Sequence, residues 1–421
     1  MTTRQIYLDN AATTPVLPEV VEEMVPYFVN VFGNPSSRYK LGQDAKAAVD
    51  DARARIASHL GAQPQDIYFT ACGTESNNWA LKATAEAYKS KGRHIITTTI
   101  EHHAVSHTTE WLEKQGFEIT YLAVDSNGLI KPSALSEAVR SDTILVSVIH
   151  GNNEIGTIQP IKELAAIAHS VGALFHTDAV QTVAHVPIDV ADLGVDLLSA
   201  SAHKFHGPKG IGFLYIRKGI KIRSFMHGGG QERKRRAGTE NVPYIVGMAK
   251  ALDICMEDFA ARIERQLQLR DHLINRIMSE VEHVHLNGHR SLRLPNNTNF
   301  SFAFIEGESL LLLLEQRGIM ASSGSACTSG SLDPSHVLLA IGLPHELAHG
   351  SLRLTLADGT TLEEIDYTVD AVKEVVAQLR KMSPLYEDFL KGKKCVSYQY
   401  CLMDCIEKER RLSQLNNKSG D

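Results

Sequence analysis

The sequence lacks any long apolar run. Its longest apolar runs have five residues, as in the five leucines of Leu310–Leu314, and fall well short of the roughly 20 apolar residues that a membrane-spanning helix needs. The opening residues MTTRQIYLDNAATTP contain no basic region followed by an apolar stretch, which is the pattern of a secretory signal. We therefore expect no membrane association, no cleaved leader and a cytoplasmic location.

An excess of one charge is lacking as well. The 421 residues contain 43 Lys and Arg against 49 Asp and Glu, a net charge of -6, which argues against nucleic acid or a membrane surface as the main partner. The six cysteines are scattered, and in a chain of this length they do not form a disulfide framework. A reduced, globular protein of two domains is the expectation.

Short β-branched segments alternate with helical patterns in the first half of the chain. Several of the predicted strands are continuously apolar, as in parallel sheets that are buried on both faces. The predicted strands are 94–100, 117–124, 143–150, 173–180, 196–203 and 211–217. This alternation predicts an α/β fold with a mostly parallel sheet, whose ligands bind at the carboxyl ends of the strands.

The pattern changes in the second half of the chain. A single long helix is predicted from about Met248 to Glu282, followed by strands at 298–304 and 349–356. The predicted domains are a large one at 15–260, a smaller α+β one formed by 1–14 and 261–390, and a cysteine-containing tail at 391–421.

Polar residues stand where five of the predicted strands end. Lys204, Asn153 and His102 each follow a strand, Asp178 lies near the end of another, and Gly73 follows a fifth where a helix begins. Because these ends meet at one sheet edge, we expect one pocket. Pyridoxal phosphate requires this set: a lysine for its aldehyde, a carboxylate for its pyridinium nitrogen, and a helix N-terminus for its phosphate.

Several longer motifs carry a resemblance to a known family. They are YLDNAATTP, FGNPSS, CGTESNN, HTDAVQ, SAHKFHGPKG, GGGQERKRRAGTEN and SSGSACTSG. With them the chain resembles the cysteine desulfurases of the NifS/IscS family, which are class-V aminotransferases of fold type I. The resemblance implies pyridoxal 5'-phosphate as cofactor, L-cysteine as substrate, a homodimer, and an iron–sulfur scaffold protein that accepts the sulfur. It also implies a large domain with a mostly parallel seven-stranded sheet.

The resemblance implies a role for each matching residue. Lys204 would bind the cofactor covalently, Asp178 would pair with the pyridinium nitrogen, and His102 would stack on the ring and act as an acid and base. The other implied cofactor residues are Gln181 at the ring hydroxyl, Asn153 in contact with the cofactor, and Gly73, Thr74, Ser201 and His203 at the phosphate, joined there by Thr239 from a second subunit. The implied substrate residues are Asn34, Asn153 and Arg353.

Cys327 lies in the bare stretch SSGSACTSG. Glycine and serine leave such a loop free to move, and no bulky side chain shields the thiol. The resemblance implies that Cys327 takes the substrate sulfur as a persulfide and passes it on. Cys327 is also the one candidate metal ligand, as a transient ligand of an iron–sulfur cluster.

Alternative interpretations remain at this point. A class-V aminotransferase or a selenocysteine lyase could use the same scaffold, although a transaminase needs no thiol at position 327. A cluster carrier without catalysis could use the tail cysteines Cys395, Cys401 and Cys405, which also fit an incidental tail or a docking segment. The basic residues 233–236 are expected near the site entrance and the dimer interface. The alternatives are that they form a solvated face or a nucleic-acid-binding patch.

Overall fold

The computed structural model describes residues 5–323 and 334–392. The strands in these residues are β1 (Ile6–Tyr7), β2 (Ile67–Thr70), β3 (His94–Thr98), β4 (Glu118–Leu122), β5 (Thr143–Ile149), β6 (Leu174–Asp178), β7 (Leu197–Ser201), β8 (Gly212–Ile216), β9 (Val284–Leu286), β10 (Asn297–Phe302), β11 (Ile319–Met320) and β12 (Ser351–Thr355). The helices are α1 (Pro18–Met24), α2 (Pro26–Val29), α3 (Lys40–His59), α4 (Gly73–Tyr88), α5 (His103–Lys114), α6 (Pro132–Ala138), α7 (Ile161–Ser170), α8 (Val190–Leu193), α9 (Gln231–Lys234), α10 (Val242–Glu257), α11 (Phe259–Glu280), α12 (Gly307–Glu315), α13 (His336–Ala340), α14 (His345–His349), α15 (Leu362–Lys381) and α16 (Pro384–Leu390).

A seven-stranded sheet in the order β2-β8-β7-β6-β5-β3-β4 forms the centre of the fold. Strands β7, β6, β5, β3 and β4 are parallel, whereas β8 is antiparallel to both of its neighbours. The predicted α/β class and all six predicted strands are confirmed. The edge strand β2 was expected only as a strand end before Gly73, without bounds, because its four residues are too few to show a periodic pattern.

The sheet is buried on both faces, as its apolar strands predict. All seven residues of β5 are buried, and its neighbouring residues Leu145 and Val146 belong to different apolar clusters. Because successive side chains of a strand point to opposite faces, each cluster covers one face. Because both faces of the sheet are covered by apolar side chains, polar groups are expected at the carboxyl ends of the parallel strands.

A three-stranded antiparallel sheet, β12-β10-β9, and the pair β1–β11 form a second core. Ile6 and Leu8 pack there with side chains from α11 and α15. Asp9 bridges to Thr355 of β12, so the N-terminal segment passes from this core toward the large sheet. The separate cores support the predicted domain boundaries, which stay a prediction.

The long helix expected from Met248 to Glu282 is instead two helices, α10 and α11. The chain breaks at Asp258, whose φ of -116° and ψ of 43° are not helical. Arg262 Nε donates to the Cys255 carbonyl at 3.1 Å, which gives this carbonyl a partner at the break. Arg262 does not interrupt the spacing of apolar residues that continues from α10 into α11. The sequence pattern alone therefore predicts a single helix.

Among the described residues, no helix is both long enough and apolar enough to cross a membrane.

A buried ion pair holds the glycine-rich segment that precedes α10. Glu232 has a left-handed φ of 43° and is followed by two more left-handed residues, Arg233 and Lys234. Its carboxylate accepts two hydrogen bonds of 2.8 Å from the Arg53 guanidinium and one of 3.1 Å from Phe69 N–H. Left-handed backbone is strained in residues other than glycine, so this buried pair keeps the turn in place.

We predict that Arg53→Met destabilises the protein by about 3–5 kcal/mol, because it leaves the buried Glu232 carboxylate without its charged partner. Urea unfolding at pH 7 measures the effect. The control Lys40→Met removes a cation paired with Asp44 at the surface, where 83% of the lysine side chain is exposed, and should cost less than about 1 kcal/mol. The double variant Arg53→Met/Glu232→Met should be more stable than Arg53→Met, and equal costs for Arg53→Met and Lys40→Met would contradict the prediction.

Candidate active site

Lys204 lies just beyond the carboxyl end of β7. It closes a single 3-10 turn, Ala202–Lys204, which directs its side chain toward the N-terminal segment. Its Nζ donates to the carbonyl oxygens of Ala11 and, at 2.8 Å, Ala12. The amine is therefore held at the sheet edge where a ligand is expected.

Asp178 is the last residue of the neighbouring strand β6 and is buried. Its carboxylate accepts a 2.6 Å hydrogen bond from Asn77 Nδ2 and a 3.0 Å bond from Val180 N–H. Asn77 was missed in the sequence, yet it stands four residues after Gly73 in α4. Residues four apart share one face of a helix, so this spacing was the available signal.

The N-terminal segment 9–14 contacts two further predicted residues. Gln181 Nε2 donates to the Ala11 carbonyl at 3.0 Å, and His203 Nδ1 lies 3.1 Å from Thr13 Oγ1. Burial, with smaller contributions from Lys204 and another lysine, lowers the pKa of His203 to about 4. The His203 imidazole is therefore neutral at pH 7 and can accept as well as donate a hydrogen bond.

The start of α4 has the features of a phosphate cradle. Cys72 precedes the helix and makes no side-chain capping bond, so N–H groups of the first turn are available to an anion. A Cβ at Gly73 would lie 2.6 Å from Val180 Cγ2, which restricts this close approach to glycine. Ser201 Oγ is buried and has no hydrogen-bond partner among the described residues. These groups fit the phosphate of pyridoxal phosphate.

His102 caps the helix α5. Its Nδ1 accepts a 3.0 Å hydrogen bond from Ala104 N–H, which leaves the ring proton on Nε2 in the neutral form. Burial lowers the pKa of His102, against an opposing effect of the Asp178 charge. The structure thus presents a neutral imidazole beside the strand ends.

Glu101, directly before His102, is a buried acid that the sequence did not single out. Its Oε1 accepts hydrogen bonds from Thr98 Oγ1 at 2.8 Å and Ile149 N–H at 2.9 Å. Burial raises the pKa of Glu101 to about 8, and the charge of Asp178 adds to this effect. At neutral pH Glu101 is therefore protonated and adds no second negative charge beside Asp178.

Arg353 brings the second core to the same place. It lies in β12, is only 2% exposed, and pairs with Asp9 Oδ1 at 2.7 Å. A further guanidinium nitrogen donates to the Asn153 carbonyl at 2.9 Å. A buried guanidinium beside Asn153 is suited to a carboxylate ligand.

Three predicted residues are not joined to this cluster by the contacts described. Asn34 is exposed, and its Oδ1 accepts from Ser36 N–H at 2.9 Å. Thr74 and Thr239 are also exposed. Cys327, predicted as nucleophile and as a cluster ligand, lies outside the described residues. Within 5–323 and 334–392, no group of three or more His, Cys, Asp or Glu could hold a metal ion.

Comparison with known proteins identifies the family. The protein-family model for class-V aminotransferases matches residues 6–368 of this chain. The chain is 57% identical to the cysteine desulfurase IscS of Methanosarcina thermophila over 382 residues, 91% of this chain and 94% of that protein. A solved NifS-like protein shares 41% identity with a TM-score of 0.84, over 89% of this chain and all of its own. SspA in complex with cysteine shares 37% identity with a TM-score of 0.74, over 85% of this chain and all of its own.

The chain belongs to the class-V aminotransferase family. Within that family its relatives are cysteine desulfurases, and it belongs with them. The expected fold and the resemblance are confirmed. The cofactor of this family is pyridoxal phosphate, and the site fits it: Lys204 would hold the aldehyde carbon, Asp178 the ring nitrogen, and the start of α4 with Ser201 the phosphate.

We predict that Glu101→Gln makes the protein increasingly more stable than wild type as pH rises from about 5 to 8. The pKa of Glu101 is about 8 in the folded chain against an ordinary 4.5, so folding takes up a proton between these values and loses stability as pH increases. The stability difference should grow by at most about 1.4 kcal/mol per pH unit.

Urea midpoints across this pH range, at constant cofactor saturation, measure the difference. The control Glu346→Gln removes an exposed carboxylate and should show no such growth. A stability difference between Glu101→Gln and wild type that stays constant from pH 5 to 8 would show that Glu101 is ionised when folded.

Proposed function

We propose that this protein converts L-cysteine to L-alanine and transfers the sulfur to Cys327 as a persulfide, for iron–sulfur cluster assembly. The observation that carries the proposal is the meeting of Lys204, Gln181 and Arg353 at the segment 9–14, with Asp178 at the end of the strand β6 beside β7. Lys204 contacts the carbonyls of Ala11 and Ala12, while Arg353 contacts Asp9. A relative named cysteine desulfurase and a related structure that contains cysteine support the substrate.

The protein groups divide the work in this proposal. Arg353 binds the substrate carboxylate and fixes the amino acid, with Asn153 and Asn34 as further predicted contacts. Asp178 holds a negative charge at the ring nitrogen. When bound, pyridoxal phosphate serves as the electron sink that allows the bonds of the amino acid to be broken. Lys204, or the neutral His102, takes the proton from the α-carbon.

The sulfur transfer balances without an external oxidant. The Cys327 thiolate attacks the substrate sulfur, an S–S bond forms, and the C–S bond breaks. The carbon that loses sulfur gains a proton and becomes the methyl group of alanine. One L-cysteine and one thiol thus give one alanine and one persulfide, which a sulfur-accepting scaffold protein would remove. Ligation of a transient iron–sulfur cluster by Cys327 belongs to this same proposal.

We predict that Cys327→Ala abolishes persulfide formation but leaves the cofactor bound, because Cys327 is not among the residues predicted to hold the cofactor. Mass spectrometry without reductant, after addition of L-cysteine, should find one extra sulfur on the wild-type peptide containing Cys327. The control Cys72→Ala should keep that sulfur. A cofactor-loaded wild type that carries no added sulfur on Cys327 would contradict the proposal and favour a transaminase or a lyase.

A homodimer is part of the proposal. Apolar side chains of α1, α2 and the residues after them are exposed: Val21, Val25, Phe28, Val29 and Phe32 are 47–66% accessible. Phe28 lies 6.3 Å from the ring of Tyr244 in α10, and α10 begins three residues after Thr239. An apolar face of this kind marks an interaction surface, and it lies against α10, which begins in the chain just after the residue predicted to reach the other subunit.

We predict that Phe28→Asp shifts the dimer toward monomer, because a carboxylate cannot be buried unpaired in an apolar interface. Sedimentation velocity at micromolar concentration measures the state. The control Leu312→Asp changes a leucine on α12 that is 61% accessible, against 53% for Phe28. A monomeric wild type, or a Phe28→Asp variant as dimeric as wild type, would refute this interface.

We also propose a cytoplasmic location. A cysteine that must accept sulfur has to be a free thiol, and reducing compartments keep it so. Cys72 and Cys255 are likewise free thiols in the structure.

A further inference from the structure

Glu75 lies in the first turn of α4, directly after the predicted phosphate residues Gly73 and Thr74. Its Oε2 accepts a 2.7 Å hydrogen bond from Ala71 N–H, and only 10% of its side chain is exposed. A carboxylate in this turn is stabilised by the positive end of the helix. A phosphate bound at the same helix end would compete with Glu75 for that positive potential, and the two negative charges would repel each other.

Arg236 lies against this carboxylate. Its Nε and Nη2 donate to the two oxygens of Glu75 at 2.8 and 3.0 Å, a bidentate pair of the strong kind. These bonds raise the pKa of Arg236 although burial opposes them. The arginine side chain is 18% exposed, so water screens the pair only weakly.

The segment that carries Arg236 is held independently of α4. Two residues after the left-handed turn 232–234, the chain reaches Arg236, and the turn itself is fixed by the buried pair of Arg53 and Glu232. The guanidinium is thus presented from a rigid support. Arg235, next to it, has its guanidinium 5.2 Å from the ring of Tyr68 and makes no contact with Glu75 among the described residues.

We propose that Arg236 is a positioning residue for the cofactor: by neutralising Glu75 it leaves the positive end of α4 to the phosphate dianion. The inference rests on the proposed function, because it needs pyridoxal phosphate at this site. It assigns an electrostatic role to one member of the basic cluster 233–236. It also explains why an acidic residue is tolerated in a turn that must receive an anion.

Equilibrium dialysis of the cofactor-free protein against two ligands tests the proposal. Pyridoxal 5'-phosphate carries the phosphate, and pyridoxal offers the same ring and aldehyde without it. Arg236→Gln should weaken pyridoxal 5'-phosphate binding about tenfold or more, as expected for one uncompensated charge near a dianion. Its affinity for pyridoxal should stay within about twofold of wild type.

A second substitution separates charge from structure. In Glu75→Gln/Arg236→Gln the repelling carboxylate is gone while an amide oxygen can still accept from Ala71 N–H, so pyridoxal 5'-phosphate affinity should return to within about threefold of wild type. Arg236→Lys should bind more tightly than Arg236→Gln. The matched control Arg235→Gln should leave both affinities unchanged.

Three results would overturn the proposal: equal losses for both ligands in Arg236→Gln, no recovery in the double variant, or no loss at all. Each is interpreted only against a wild type that binds pyridoxal 5'-phosphate more tightly than pyridoxal. A wild type without that preference would instead refute the cofactor site itself, and with it the proposed function.

Discussion

The candidate site depends on the backbone of residues 9–14, to which its parts are attached. The carbonyls of Ala11 and Ala12 accept the bonds of Lys204, Ala11 also accepts from Gln181, and Asp9 pairs with Arg353. Although this segment has little regular structure, side-chain hydrogen bonds hold its backbone in place. Asn10 Nδ2 donates to the Thr355 carbonyl, and the Tyr7 hydroxyl donates to the Thr13 carbonyl. The two cores are therefore joined at the place where the chemistry is proposed.

Burial sets the charges around this segment. Removal from water disfavours ionised groups, and it keeps Glu101 protonated and His203 neutral. Two retained charges have opposite charges beside them: Arg353 pairs with Asp9, and Arg236 pairs with Glu75, whose carboxylate also accepts from Ala71 N–H. The result is a pocket whose remaining charges are few and fixed in position, so that a zwitterionic amino acid and a phosphate can be oriented by them.

Much of this arrangement could be predicted from the sequence, for physical reasons. Apolar β-branched segments predicted the parallel strands. Because ligands bind at the carboxyl ends of such strands, the sequence also predicted that Lys204 and Asp178 belong to one site. Contacts across the chain could not be predicted this way: Asp9 and Arg353 are 344 residues apart, and no local period relates them. The helix break at Asp258 was not predicted from the sequence. Arg262, which donates a hydrogen bond to the Cys255 carbonyl at the break, does not disturb the apolar pattern. The predicted role of Thr239 depends on the proposed second subunit, which a single chain does not contain.

The pairing of Asp9 with Arg353, and of Asn10 with Thr355, has a consequence during synthesis. Asp9 and Asn10 leave the ribosome 344 and 345 residues before their partners in β12. At roughly 5–20 residues per second, the intervening chain takes on the order of 20–70 s to be made. Lys204 and all seven strands of the large sheet are therefore made before Arg353, and the proposed site stays incomplete until β12 has been made.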